Sequence, residues 1–517
     1  MPDDQLQALW AGLPFTGFDF ARDDKRQQWE AAAQKIVSSP DNIALVADTA
    51  AGKTVIACLA IFALGKRTLF LVPQRLLASQ HQELFSKIIG DDNFRTRVIT
   101  GATPAKQRIW DDVLDRVVFA TPHVFLSGLR SNIADLGSFG LVLLDEIHNA
   151  SGNYQYVEVA ILARSSGTRL IGLTASPGKN LDRIQTLAST CFLDQIIRAE
   201  IPTPKKREDI VYAEPSEILL SIEADIVGMI EGAIKSLKKL HVEFEEGKIP
   251  TISELDEAQH RIEGWPRDWR FFQAISTVAR IYKLRRALVT ALTESYDTFI
   301  KYAGRIATAE HNQAAATIRV NTSWIRSVQL ALVHSDGHPK VLRMIELAKS
   351  FKEWNKNALV FFSNKELLKE LQLRLFGLGI RVNIVMGSKD KNIKSQQRVL
   401  DKLRNREVDL VLATSVLQEG VSIPEVDTVV HYNVPQTEIA RIQRSGRTGR
   451  MHPGNVIYLL LNHSIDKIPY WVTRSGEKTM KKTLARDGFT DIIVNKSQRI
   501  IGPSLPLFDS LDDDQIF

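Results

Sequence analysis

Short apolar runs at 42–47, 68–72, 116–120, 141–144 and 170–173 alternate with helical stretches through the first 200 residues. Runs of this length, rich in Val, Ile and Leu and divided by helices, predict a parallel sheet buried on both faces. The pattern breaks from about 215 to 330, where the chain is long, charged and helical with few strand candidates. A turn-like stretch at 334–339 closes that region, and strand runs return at 358–362, 382–385, 409–413, 428–430 and 456–460. A chain of 517 residues, 44% of them hydrophobic, is long enough for three or four domains, each with its own core. The expectation is two α/β domains flanking a helical insertion, with a tail that mixes Pro and Gly with an acidic end.

Composition narrows the class only slightly. Lys and Arg number 66 against 60 Asp and Glu, a net +6 that permits a polyanionic partner without requiring one. No apolar run approaches the roughly 18–20 residues of a membrane span, so no membrane is expected. The first residues, Met1-Pro2-Asp3-Asp4, are acidic where a signal peptide is basic. Cys58 and Cys191 cannot form a zinc site between them and read as packed thiols in a reducing compartment. The expected location is cytoplasmic, or nuclear in a eukaryote.

Three separated stretches carry the chemistry. Ala47-Asp48-Thr49-Ala50-Ala51-Gly52-Lys53-Thr54 follows a strand run and opens a helix at Val55, the setting in which a Gly-Lys-Thr loop wraps phosphates. Backbone N–H groups of Ala50, Ala51, Gly52 and Val55 and the helix N-terminus offer an anion site. Lys53 suits β- and γ-phosphate charge, and Thr54 suits magnesium. Asp145 and Glu146 end the apolar run 141–144, which places two carboxylates at the sheet's carboxyl edge. Asp145 would bind magnesium, and Glu146 would orient or deprotonate the attacking water. His148 would link nucleotide state to Thr174 and Ser176 at the end of the next strand run. Far downstream, Gln443 precedes Gly446-Arg447 and Arg450 lies three residues after Arg447, so the two arginines share a helix face or a tight turn. Guanidiniums brought to a γ-phosphate from another domain are arginine-finger chemistry and act only when the domains close. Plainer readings exist: a chance tripeptide, a carboxylate pair capping a helix, a basic patch on the surface. The joint placement of the three argues against them.

In this order the motifs are similar to those of superfamily 2 helicases and translocases. The same succession includes Val72-Pro73-Gln74-Arg75, Thr100-Gly101, Ala120-Thr121-Pro122, Thr174-Ala175-Ser176, Phe362-Ser363-Asn364 and Ala413-Thr414-Ser415-Val416-Leu417-Gln418-Glu419-Gly420, each at a strand end. Asp145-Glu146-Ile147-His148 with the following Gly152-Asn153-Tyr154, Thr174-Ala175-Ser176-Pro177-Gly178, His338-Pro339-Lys340 and the stretch 442–450 resemble the archaeal Hef and Fanconi-anaemia-M helicases. The resemblance implies RecA-like motor domains at 1–200 and 336–480, a mainly helical insertion at 201–335 and a tail at 481–517. It implies ATP and magnesium as cofactors and a motor working on DNA, branched or forked, in repair or stalled-fork processing. Dicer and the RIG-I-like receptors belong to the same wider group, so a duplex-RNA-stimulated ATPase is the alternative, and a nucleic-acid-binding scaffold with weak ATPase a third reading. Family matches place Gln28 at the adenine and Glu419 and Gly420 at the nucleotide. Departures are Asp48 and Ala50, where relatives have Pro and Gly, and Lys25, where the Arg of the adenine reader belongs. The chain shows no downstream nuclease motif, which suggests a separate nuclease partner.

By the same matches, nucleic acid would pass Gln74, Arg75, Thr100, Gly101 and Thr121 on the first motor domain and Ser363, Asn364, Gly387 and Thr414 on the second. Amides, hydroxyls and backbone N–H groups suit phosphate contact without reading sequence. In the insertion, Trp265 to Arg270 and then Arg280, Lys283, Arg285 and Arg286 set basic groups beside aromatics. The plainer reading of that stretch is an amphipathic helix with its aromatics in a core. Ser504-Leu505-Pro506-Leu507-Phe508 faintly resembles a sliding-clamp-binding peptide, without its leading glutamine.

Overall fold

The computed structural model describes residues 3–16, 23–49, 51–90, 94–178, 180–245, 247–386, 393–414, 426–448, 453–484 and 491–493. Their contacts divide into two compact units. The first is built on Met1–Thr203 and on the chain from Gly476. Its parallel strands are β1 (Ile43–Ala47), β2 (Thr68–Leu71), β3 (Thr96–Ile99), β4 (Val117–Ala120), β5 (Leu141–Leu144), β6 (Arg169–Thr174) and β7 (Gln195–Ala199), in the order β7-β1-β6-β5-β2-β4-β3. A short strand from far downstream, Asp491–Ile493, adds antiparallel to β7. Strands β1, β2, β4, β5 and β6 are buried along their whole length, which is why they read as continuous apolar runs. The helix Lys53–Leu64 is buried from Val55 to Ile61, and Gly65, at φ 59°, ends it by donating its N–H to Ile61 and Phe62 carbonyls. Cys58 and Cys191 lie in this interior, where burial pushes the thiol of Cys191 up to about 12.

The second unit holds the other sheet and the helical region together. Its strands are β8 (Lys206–Ala213), β9 (Ala358–Phe361), β10 (Val382–Val385), β11 (Leu410–Ala413), β12 (Thr428–His431) and β13 (Gly454–Leu461), all parallel, in the order β10-β11-β9-β12-β13-β8. Strand β8 departs from the sequence expectation of a mainly helical insertion from residue 201. It pairs with β13 over its full length, from Gly454 against Lys206 to Leu461 against Ala213. Its first half is Lys-Arg-Glu-Asp, the charged signature of an edge strand rather than of a buried one.

The helical region consists of Glu217–Lys238, Ile252–Glu263, Trp269–Thr293, Tyr296–Ala307, Gln313–Arg319 and Thr322–Val333. Side-chain caps start them, including Ser216, Asn321 and a reciprocal capping box of Thr251 and Glu254. Their common core reaches Ala213 and Leu461, the last residues of β8 and β13, so insertion and sheet share apolar packing. Polar contacts fix the same junction. Ser295 donates to Glu370 at 2.6 Å, Tyr432 donates to the Glu294 carbonyl at 2.6 Å, and buried His338 donates to the Ala291 carbonyl at 2.9 Å. Lys340, fully buried, pairs with Asp466 at 2.7 Å. By contact, the helical region groups with the second sheet, and residues 476–484 and 491–493 group with the first. Among the described residues no helix is long and apolar enough to cross a membrane.

Candidate nucleotide site and nucleic-acid-facing loops

The loop after β1 turns back on itself as Ala51 donates to the Asp48 carbonyl at 3.0 Å, and Gly52 takes φ 90° before the helix Lys53–Leu64 begins. A side chain is strained at that φ, so glycine is required. The indole of Trp29 lies over the loop and donates to the Ala51 carbonyl at 2.8 Å. A Cβ on Gly52 would stand 2.4 Å from Trp29 Nε1. Lys53 reaches back to the Ala47 carbonyl at 3.3 Å. Two buried oxygens nearby in sequence, Thr49 Oγ1 and Gln28 Oε1, have no hydrogen-bond partner among the described residues. Unmet buried polar atoms beside a glycine loop at a helix N-terminus fit a phosphate-bearing ligand. Arg26 does not serve as the upstream reader's arginine: it is committed to the Trp10 carbonyl, Glu30 and the face of Phe15. Ala50 lies outside the described residues.

Strand order puts β6 between β1 and β5, so the Gly52-bearing loop, Thr174 and Asp145 leave the carboxyl ends of three neighbouring strands. Asp145 is buried, with Oδ1 accepting from the Glu146 N–H at 3.0 Å and Oδ2 2.8 Å from His81 Nε2. Tyr156 donates its hydroxyl to the Asp145 carbonyl at 2.8 Å and to Leu71 at 3.2 Å. Each carboxylate oxygen has a second lone pair, so the donor set still fits a hard cation or its bound water. Glu146 sits in the left-handed region at φ 50°, a strained conformation for a side-chain-bearing residue. His148 Nδ1 lies 3.0 Å from Thr174 Oγ1 and 3.3 Å from Glu146 Oε2. Thr174 Oγ1 also accepts from the Ser176 N–H, and Ser176 Oγ meets Met480 Sδ at 3.0 Å. His148, Glu146, Thr174 and Ser176 therefore form one connected set.

In the second unit, Thr437 caps the helix Glu438–Ser445, and Gln443 is buried with Nε2 unpartnered among the described residues. Arg447 follows the helix in a turn, its N–H donating to the Arg444 carbonyl at 3.1 Å. Behind it, Arg441 stacks on Tyr458 and pairs with Glu208 on β8, while His431 lies between Tyr458 and Phe361. Burial pushes Arg444 down to about 10. Arg450, Glu419 and Gly420 lie outside the described residues.

The residues expected to face nucleic acid differ in exposure and in how far their polar groups are already engaged. Gln74 precedes the helix Arg75–Ile89 without a side-chain cap, and Arg75 lies along Gly101. Thr100, Thr121 and Thr414 are buried, and Thr100 Oγ1 accepts from the Ala102 N–H within its own turn. Ser363 is exposed, with its N–H held by Asn433. Asn364 differs from expectation: its Oδ1 caps the helix Lys365–Gly377, and its Nδ2 donates to Glu294 at 2.6 Å, so both ends of the amide are engaged. Gly387 lies outside the described residues. In the insertion, Phe271 joins the core while Trp269 and Phe272 stay exposed beside Arg270. Trp29, His81, Tyr156 and Glu294 escaped the sequence reading, because each acts through a partner distant in the chain.

The DEAD/DEAH box helicase family matches residues 25–184, and the helicase conserved C-terminal domain matches residues 339–452. The crystal structure of the Pyrococcus furiosus Hef helicase domain is 26% identical, with a TM-score of 0.65 over 88% of this chain and 99% of that one. A Methanocaldococcus jannaschii protein, provisionally named an ATP-dependent RNA helicase, is 25% identical over 460 residues, 85% of this chain and 58% of the relative. The Schizosaccharomyces pombe ATP-dependent DNA helicase fml1 is 24% identical over 506 residues, 89% of this chain and 60% of the relative. The chain thus spans less than two thirds of either curated relative. Both helicase domains are matched, and over most of its length the chain is similar to the superfamily 2 helicases of the Hef and Fanconi-anaemia-M kind.

Proposed function

We propose that the chain is an ATP-driven DNA helicase or translocase acting on branched DNA. The observation that carries this reading is the first sheet's carboxyl edge, where the loop 48–54, Asp145-Glu146 and Thr174 emerge from neighbouring strands. In this reading Gln28 contacts the adenine, and the backbone of 50–55 with Lys53 holds the phosphates. Thr54 and Asp145 would hold magnesium, which would screen phosphate charge and polarise the γ-phosphoryl group. Glu146 accepts the proton of the attacking water, and His148 relays the state of Glu146 to Thr174 and Ser176. Gln443, Arg447 and Arg450 complete the reaction from the second unit, which makes turnover depend on domain closure. Nucleic acid runs along Gln74, Arg75, Gly101 and Ser363, with backbone groups of the buried threonines contributing. A separate nuclease would act on the product.

A second reading, an ATPase stimulated by duplex RNA, draws support from the RNA-helicase name of the archaeal relative. ATP turnover measured with forked DNA, Holliday junctions, linear duplex DNA and duplex RNA separates the two. The expected order has forks and junctions first. Strongest stimulation by duplex RNA would replace the DNA reading with the RNA one. Nucleic-acid binding without turnover on any of these would reduce the chain to a scaffold.

A further inference from the structure

His81 has no part in the motifs, yet it touches the carboxylate at the centre of the proposed site. It lies in the helix Arg75–Ile89, six residues beyond Arg75 and so about 9 Å along the axis. Its ring is buried and packs on Phe70 of β2 with centroids 5.3 Å apart, and Phe70 in turn packs on Phe119 of β4. That wall of aromatics fixes the imidazole so that Nε2 sits 2.8 Å from Asp145 Oδ2. An ionised carboxylate only accepts, so Nε2 carries the proton of this bond. The remaining freedom of Asp145 is removed by the Glu146 N–H on Oδ1 and by the Tyr156 hydroxyl on its carbonyl. Asp145 is thus held at three points, and only the contact from His81 comes from an element carrying a nucleic-acid loop at its start.

We propose that His81 is a positioning residue for the metal-binding carboxylate, orienting Asp145 toward magnesium from the helix that begins at Arg75. The inference rests on the assignment of Asp145 as a magnesium ligand. A charge-assisted bond between two buried groups is stronger and more directional than a neutral one. Without it the carboxylate can rotate about its Cβ–Cγ bond, and metal affinity falls although no ligand is lost.

The test uses the full chain and a fluorescent ATP analogue, titrated with magnesium and, in parallel, measured in excess EDTA. His81→Leu fills the space but cannot donate, whereas His81→Gln keeps an N–H at comparable reach. For His81→Leu the magnesium concentration giving half-maximal metal-dependent binding should rise roughly 10-fold or more. Its binding in EDTA should be unchanged, and His81→Gln should titrate like wild type. Should His81→Leu fail to fold, His81→Asn, whose shorter amide cannot reach Oδ2, should show the same loss. A folded Leu or Asn variant with wild-type magnesium dependence overturns the proposal. A wild-type chain whose nucleotide binding ignores magnesium overturns both this role and the metal assignment of Asp145. Normal magnesium dependence without stimulation by any nucleic acid would sink only the helicase reading.

Discussion

Replacing Gly52 by alanine should weaken nucleotide binding through two separable costs. The first is conformational: the residue stands at φ 90°, where a Cβ costs about 1–2 kcal/mol. The second is steric, because the new methyl would lie 2.4 Å from Trp29 Nε1 and 2.8 Å from Cε2. The indole is buried and its N–H is bonded to the Ala51 carbonyl, so it cannot swing aside without losing that bond. Overpacking of this kind costs about 1–3 kcal/mol. The sum, about 2–5 kcal/mol, corresponds to a roughly 30-fold or greater loss of affinity if the loop must recover its native shape to bind. In a Trp29→Ala background the steric cost disappears and only the conformational one remains. A double-mutant cycle should therefore give a coupling of about 1–3 kcal/mol between the two positions. The assay is calorimetric titration of ATP analogue into the four proteins, with melting temperatures to confirm folding. Equal cost of Gly52→Ala in both backgrounds would refute the clash argument, and wild-type affinity in the single variant would refute the whole account.

Three further outcomes follow from other parts of the structure. Glu146→Gln keeps the shape of the residue that follows Asp145 but removes its basicity, so ATP should bind with near wild-type affinity and stay unhydrolysed. Turnover near the wild-type rate in a single-turnover assay would move the base elsewhere. Arg447→Ala, and likewise Arg450→Ala, should lower turnover roughly 10³-fold while leaving DNA affinity in a fluorescence-anisotropy titration little changed; a parallel loss of DNA affinity would place these arginines on the nucleic acid instead. Burial lowers the pKa of His338 from 6.5 to about 3. In the unfolded chain this histidine takes up a proton below about pH 6.5 that the folded chain refuses, so the stability it contributes is present above that pH and lost as pH falls toward 3. Denaturant titrations from pH 7 to 4 should show His338→Gln with a shallower acid loss, by up to about 1.4 kcal/mol per pH unit; identical slopes would show that the imidazole titrates normally.

What the amino-acid order determined by itself is everything carried by local patterning. A strand buried on both faces, such as Leu141–Leu144, must be apolar at every position and so announces itself. The glycine turn ahead of the helix Lys53–Leu64 is equally legible, because the glycine at φ 90°, the lysine and the helix that follows occupy one contiguous stretch. Strand β8 is hidden for the converse reason: an edge strand carries charge, and its partner β13 lies some 240 residues away. The division into units was also out of reach. Ser295–Glu370, Asn364–Glu294 and Lys340–Asp466 join segments 75, 70 and 126 residues apart. A serine, an asparagine or a lysine read in isolation looks like a surface residue, and only burial turns its polar atoms into obligations that a distant partner must meet. The same holds at the candidate site, where Asp145 is recognisable from its neighbours in sequence but its orientation is set by His81, 64 residues earlier. Periodicity is a one-dimensional signal and records which residues face a core. The pairing of buried polar groups is decided only once the chain has folded back on itself, because it depends on which strand ends and helix faces the topology brings within about 3 Å of one another.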